Sequence, residues 1–163
     1  MTNKKRHPAS RRMSFLFKDD DSDQNIERMW VTPAQNGLFV IDNIPFYAVG
    51  FALNDVVAGE ETKEDLWFKD LVSESGHSTV RVVMLETEYR DSVCAHINSL
   101  GCDIEISNLQ VLFAVDVPPT VSWCVLTAYL IEMMGKGVIG YEESAISTHH
   151  RRQLKQSPEP KDS

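Results

Sequence analysis

Gly76-His77-Ser78-Thr79-Val80-Arg81-Val82-Val83-Met84-Leu85 is the stretch on which the fold turns. A short polar cluster runs straight into the most strand-like segment of the chain. Residues 80–85 are apolar on both faces apart from Arg81. A strand of that kind is covered on both sides or lies in the middle of a sheet. It marks the seam between two halves of different character.

On its C-terminal side the pattern is regular. Glu86-Thr87-Glu88 opens a helix, with acids suited to the positive end of its dipole. Tyr89, Val93, Ile97 and Leu100 recur at helical spacing, and Gly101 stands where a C-terminal cap belongs. Residues 103–107 alternate as a half-exposed strand. Residues 111–117 form another, ended by Pro118-Pro119. Thr120 is the expected N-cap of a helix over 121–134, apolar on most sides and about 20 Å long. That is too short to span a bilayer. Gly135-Lys136-Gly137 ends it, and residues 138–146 give a last strand. Strand, helix, strand, strand, helix, strand is the split βαβ, or ferredoxin-like, order. Its helices would cover one face of the sheet and leave the other to the N-terminal half.

On the N-terminal side short strands and turns alternate. Strands are expected over 13–17, 26–32, 38–41 and 66–72, with residues 49–57 as loop plus short strand and 60–65 as an exposed turn. Asn36-Gly37 between two strand-like runs is a hairpin signal. Asp42-Asn43-Ile44-Pro45-Phe46-Tyr47 reads as a tight extended corner, because Asp and Asn bond their own backbone and Pro45 forces Ile44 out of the helical region. Such closely spaced strands make a small barrel or curled sheet. The expected class is therefore α+β: β-barrel-like or curled antiparallel strands packed on a ferredoxin-like βαββαβ sheet. Residues 13–147 are expected to form one domain, split into 13–75 and 76–147. Residues 1–12 and 148–163 are expected to be disordered tails.

Charge and cysteine usage narrow the function. The chain carries 16 basic and 24 acidic residues, net −8. The basic residues gather at the ends, five of them in 1–12. Residues 13–147 hold 7 basic and 22 acidic groups, net −15. Such a body repels phosphate backbones, so it is not expected to bind nucleic acid. The basic start is followed by no long apolar run, so no signal peptide or membrane role is expected. Three cysteines, Cys94, Cys102 and Cys124, without C-x-x-C spacing suit buried, reduced thiols in a cytoplasm. The Asp19–Asp23 run suggests calcium, but the glycine and the twelfth-position glutamate of a binding loop are missing. No metal site or cofactor is expected.

Asp42-Asn43-Ile44-Pro45-Phe46, then Asn54-Asp55-Val56-Val57, then the residues 75–82, resemble the motifs of the bacterial domain of unknown function family 4265. Trp30 ahead of them also fits, and the resemblance covers about residues 14–146. It implies a small cytosolic bacterial protein of unassigned role, and brings no activity with it.

The ligand- or partner-binding candidates are Asp42, Asn43, Phe46, His77, Ser78, Thr79 and Arg81. His77, Ser78 and Arg81, with Asp42 or Asn43, can compose a His-based acid–base site or an anion pocket. They can equally be a strand-entry turn whose hydroxyls satisfy the backbone. Arg81 is then expected to be buried and paired with a carboxylate such as Asp116, because an unpaired buried charge is very costly. His77 is expected within reach of the 42–46 corner. His149-His150 is expected to be an incidental pair in a tail. Three roles stay open. One is a non-enzymatic protein-binding module, such as an immunity-type neutraliser of a cationic partner. The second is a small-molecule-sensing domain, and the third an enzyme using His77 and Arg81.

Overall fold

The computed structural model describes residues 5–21 and 23–156. Five strands come first: β1 Arg11–Lys18, β2 Gln24–Pro33, β3 Leu38–Ile41, β4 Val56–Glu61 and β5 Leu66–Ser73. They pair in that order and close into a barrel, the last join being a parallel contact of β5 with β1 at Ser14 and Trp67. Met13, Phe15, Met29, Val31, Ile41 and Val57 fill its interior. The Asn-Gly hairpin stands between β2 and β3, with Asn36 and Gly37 both at positive φ. Gly59 lets β4 close on its neighbours. A Cβ there would lie 2.8 Å from both Leu66 Cδ1 and Met13 Cε. The strand consequently runs on through Glu60 and Glu61, expected as a turn, and the turn itself is Thr62–Asp65.

The second half holds β6 Ser78–Met84, α1 Arg90–Ser99, β7 Asp103–Ile106, β8 Leu112–Val117, α2 Trp123–Gly135, β9 Ile139–Ala145 and α3 Thr148–Gln156. The sheet order is β7-β8-β6-β9 and every neighbouring pair is antiparallel. Val80, Val82, Met84, Phe113, Val115 and Val117 point to one face, where Val93, Ile97, Trp123, Leu126 and Leu130 of α1 and α2 bury them. Full burial of each such side chain contributes about 1.5–3 kcal/mol. Gly101 caps α1 at φ +99° as expected. The 86–88 acids precede α1 as a turn over Thr87–Tyr89, and α2 is capped by Ser122, not Thr120. Thr120 sits inside the turn that Val121 N–H closes on Pro118 O.

Three expectations need correction. The folded part begins before residue 13, because Arg11 and Arg12 extend β1. The Arg6 and Arg12 guanidiniums lie 4.4 and 4.6 Å from the centre of the Trp30 ring, a cation–π arrangement. It also continues past residue 147, where α3 takes up nine residues expected to be tail. Its inward residue is a histidine, His150, fully buried, and its one leucine, Leu154, is exposed, so no buried hydrocarbon betrays the helix. The tail expectations for 1–4 and 157–163 lie outside the described residues. Finally, β6 does lie in the middle of its sheet, between β8 and β9, but the N-terminal half leaves part of its second face uncovered. Val83 remains 42% exposed on the face away from the helices. Among the described residues no helix is long and apolar enough to cross a membrane.

Candidate functional site

Residues 42–55 cross from β3 to β4 between barrel and sheet, and the quoted motifs converge on them. Asn43 Oδ1 accepts the Trp30 N–H. Glu27, on β2, takes three successive amides: Phe46 N–H at 2.7 Å, Tyr47 N–H at 3.0 Å and Ala48 N–H at 2.7 Å. From the sheet, Arg81 Nη1 donates to Phe46 O (2.9 Å) and Tyr47 O (3.1 Å), and Nη2 to Glu142 Oε1 (2.6 Å). Thr79 Oγ1 donates to Phe51 O at 3.0 Å. Asp55 closes the segment by accepting Ala52 N–H and Ser75 N–H. Its burial pushes that carboxyl up, against the pull of those amides.

Arg81 is thus well buried, with 16% of its side chain exposed, and paired with a carboxylate. The acid is Glu142, its register partner on β9, in place of Asp116. Asp116 lies opposite Thr79 and holds His77 instead: Nδ1 is 2.8 and 3.0 Å from its two carboxyl oxygens. Asp116 is almost fully buried, which pushes its carboxyl up, while the hydrogen bond and charge of His77 pull the other way. The corner is met by Arg81, whereas the bonds of His77 run to Asp116 and to Ser75. Asp42 enters the corner with its N–H on Trp30 O.

Strand alternation separates Ser78 from His77, Thr79 and Arg81. Its side chain faces the helices, where Oγ lies 2.6 Å from His150 Nδ1 and accepts the Ser147 N–H at 2.9 Å. Ser78 is fully buried. The expected grouping of His77, Ser78 and Arg81 is therefore not assembled. Glu27, Glu142, Ser147 and His150 complete these networks and were not among the sequence candidates. The β6–β9 register was the signal for Glu142; nothing local distinguished the others.

Two concavities flank this weld. The larger, about 500 Å³, opens where the barrel leaves the sheet uncovered. Its floor is Phe17, Tyr47, Val49, Val83, Leu112 and Gly140; Asp19, Asp20 and Glu142 carry its acidic charge and Lys18 and Arg81 its basic charge. The Phe17 and Tyr47 rings stack at 5.3 Å. Gly140 faces Val83 across the strand pair, and a Cβ there would meet nothing within 4 Å. The smaller, about 320 Å³, is lined by His77, Asp55, Glu74, Glu143, Ser144 and Arg151 among others. With Nδ1 on Asp116, the imidazole has Nε2 left for proton transfer or anion contact. Among the described residues no three or more His, Cys, Asp or Glu are placed to hold a metal ion.

A family model described as Domain of unknown function (DUF4265) matches residues 27–141. The chain is also similar to a crystal structure of a hypothetical protein from Neisseria gonorrhoeae. The two share 25% identity at a TM-score of 0.79, over 87% of this chain and 99% of that one. No curated protein matches the chain.

Proposed function

From a chain that belongs to the DUF4265 family, whose description assigns no activity, we propose a small soluble cytoplasmic bacterial protein that works as a non-enzymatic protein-binding module. Its docking surface is the groove between the barrel and the open end of the sheet, and its occupant is a basic segment of a protein partner. The β7-β8-β6-β9 order, with both helices on one face, supports a ferredoxin-like second half. In that arrangement the free face is available for docking wherever the barrel stops short.

The observation that carries the reading is the exposed apolar floor of the groove. Tyr47, Val49 and Val83 are 42–58% exposed side by side on a chain of net −8. A contiguous apolar patch rimmed by polar groups marks an interaction site. An acidic body speeds encounter with a cationic partner and rejects anionic ones. An immunity-type neutraliser of a cationic protein fits both features.

Gly140→Val tests it, since the new side chain fills the slot without straining the strand. Peptides combining Arg or Lys with aliphatic residues should bind the wild-type protein, more weakly as salt rises. They should bind Gly140→Val at least tenfold more weakly. Equal binding to both proteins, or no binding to either, defeats the reading.

The His77 cleft favours a second reading, a small-molecule site with His77 as acid–base or anion-binding group. Asp116 fixes the imidazole as a general base requires. Arg81, engaged by the corner and Glu142, would take no part. A metabolite that raises the melting temperature of the wild type but not of His77→Gln would support it; no shift with any metabolite would remove it.

A further inference from the structure

Helix α3 is docked by one buried side chain, and that side chain is titratable. His150 is the only residue of α3 that is buried. Its ring stacks on Trp123 with centroids 5.3 Å apart. Nε2 lies 3.2 Å from Val121 O, and Nδ1 lies 2.6 Å from Ser78 Oγ and 3.3 Å from Ser147 Oγ. A carbonyl can only accept, so Nε2 carries the hydrogen. Nδ1 of the neutral ring is then bare and accepts from the Ser78 hydroxyl. Ser147 Oγ donates away, to Gly76 O.

A second proton is disfavoured in this socket. It would turn Nδ1 into a donor, and Ser78 could accept it only by turning its own hydrogen away to Ser147 Oγ, 3.3 Å off. It would also put a charge at a site with no solvent access. The neighbouring titratable groups are two further bases, His149 on α3 with its ring 5.3 Å away and His77 on the residue before β6. The nearby acids are engaged elsewhere: Asp116 holds His77, and Glu74 accepts the Thr148 N–H at 3.0 Å.

We propose that α3 is an acid-released latch, kept on the sheet by neutral His150 and freed when that imidazole takes up a proton. Burial, the largest cause, pushes the His150 imidazole below its ordinary value of about 6.5; the bonds to the Val121 and Pro118 backbone oppose it, and the neighbouring His149 and His77 reinforce it. The undocked helix therefore binds protons more readily than the docked one. Docking is at full strength above about pH 6.5 and weakens as pH falls below it. Release uncovers Trp123 and opens the His77 cleft, one wall of which is Ser147 and Arg151. Besides the Thr148–Glu74 bond, α3 is linked by Trp123 N–H to Gln153 Oε1 and by His149 Nε2 to Pro119 O.

Hydrogen exchange on the full chain tests this. After correction for the intrinsic pH dependence of exchange, protection of the α3 amides should fall several-fold, toward a ceiling of about tenfold, between pH 7.5 and 5.5. The β6 and β8 amides should stay protected. In His150→Asn the amide oxygen can still accept from Ser78 but does not titrate, so α3 protection should be the same at both pH values. Glu74→Gln should retain the acid-induced loss. Unchanged protection of wild-type α3, or an equal loss in His150→Asn, overturns the proposal. If α3 is already undocked in His150→Asn at pH 7.5, the wild-type His150 resonance decides. Its protonation must coincide with the loss of protection, and a titration displaced from it sinks the latch.

Discussion

Glu27 and Arg81 hold the same piece of backbone from opposite sides, Glu27 by the amides of Phe46 to Ala48 and Arg81 by the carbonyls of Phe46 and Tyr47. One residue belongs to the barrel and the other to the sheet. The two halves are therefore welded through a loop whose peptide groups would otherwise lack partners. Glu27→Gln presents an amide donor where a carboxylate oxygen accepted N–H groups. It should cost about 2–4 kcal/mol by urea unfolding, in line with lost charge-assisted bonds. Arg81→Met should cost a similar amount. Glu142→Gln should cost under about 1 kcal/mol, because that partner is mostly exposed. A large loss in Glu142→Gln with little in Arg81→Met would reverse the assignment.

Gly59 and Gly140 make opposite predictions. A Cβ on Gly59 enters the barrel core against Leu66 and Met13, so Gly59→Val should destabilise by about 1–3 kcal/mol through overpacking. The side chain of Gly140→Val enters open groove, and its stability should match the wild type within about 0.5 kcal/mol. Thermal unfolding of the two variants side by side checks both.

Cys102 should be the last thiol to react in the native protein. It is buried, and burial with Asp116 and Asp103 nearby pushes its thiol up to about 12. The thiolate is the nucleophile, so alkylation at pH 8 should modify Cys94 and Cys124, both partly accessible, well before Cys102. Peptide mass spectrometry reads the order directly. Early labelling of Cys102 would mean that the core beneath α1 opens.

What was legible in the chain followed from local patterns. The alternation over 103–107, the Asn36-Gly37 hairpin and the Gly101 cap each need only neighbours in sequence. Arg81 stood out for the same reason, as a single charge in an apolar run. Its acid did not, because choosing Glu142 over Asp116 requires the β6–β9 register. Glu27 looked like any charged residue of a short strand. Its task is set by a corner about 20 residues away in the chain. Helix α3 was hidden because its buried residue is histidine, and a Thr-His-His-Arg-Arg start reads as tail. The exposure of Val83 on a mid-sheet strand was not legible, because periodicity shows which side a residue faces, not how far the opposing layer extends.

The His77–Asp116 pair carries a pH signature that separates it from ordinary packing. Asp116 is nearly inaccessible, and its carboxyl is pushed up by burial and pulled back by His77. In His77→Leu the pull is gone, so the carboxyl rises further. A raised acid favours the folded state while protonated. That contribution is complete below the unfolded value of about 3.9 and is lost as pH climbs through the raised folded value. The deficit of His77→Leu relative to wild type should therefore be small near pH 4 and grow toward pH 7. There it should reach about 3 kcal/mol, the cost of a buried carboxylate left without its partner. Urea unfolding of both proteins at pH 4, 5, 6 and 7 measures the trend. A deficit that stays constant across that range would show that His77 acts by filling space, not by balancing Asp116.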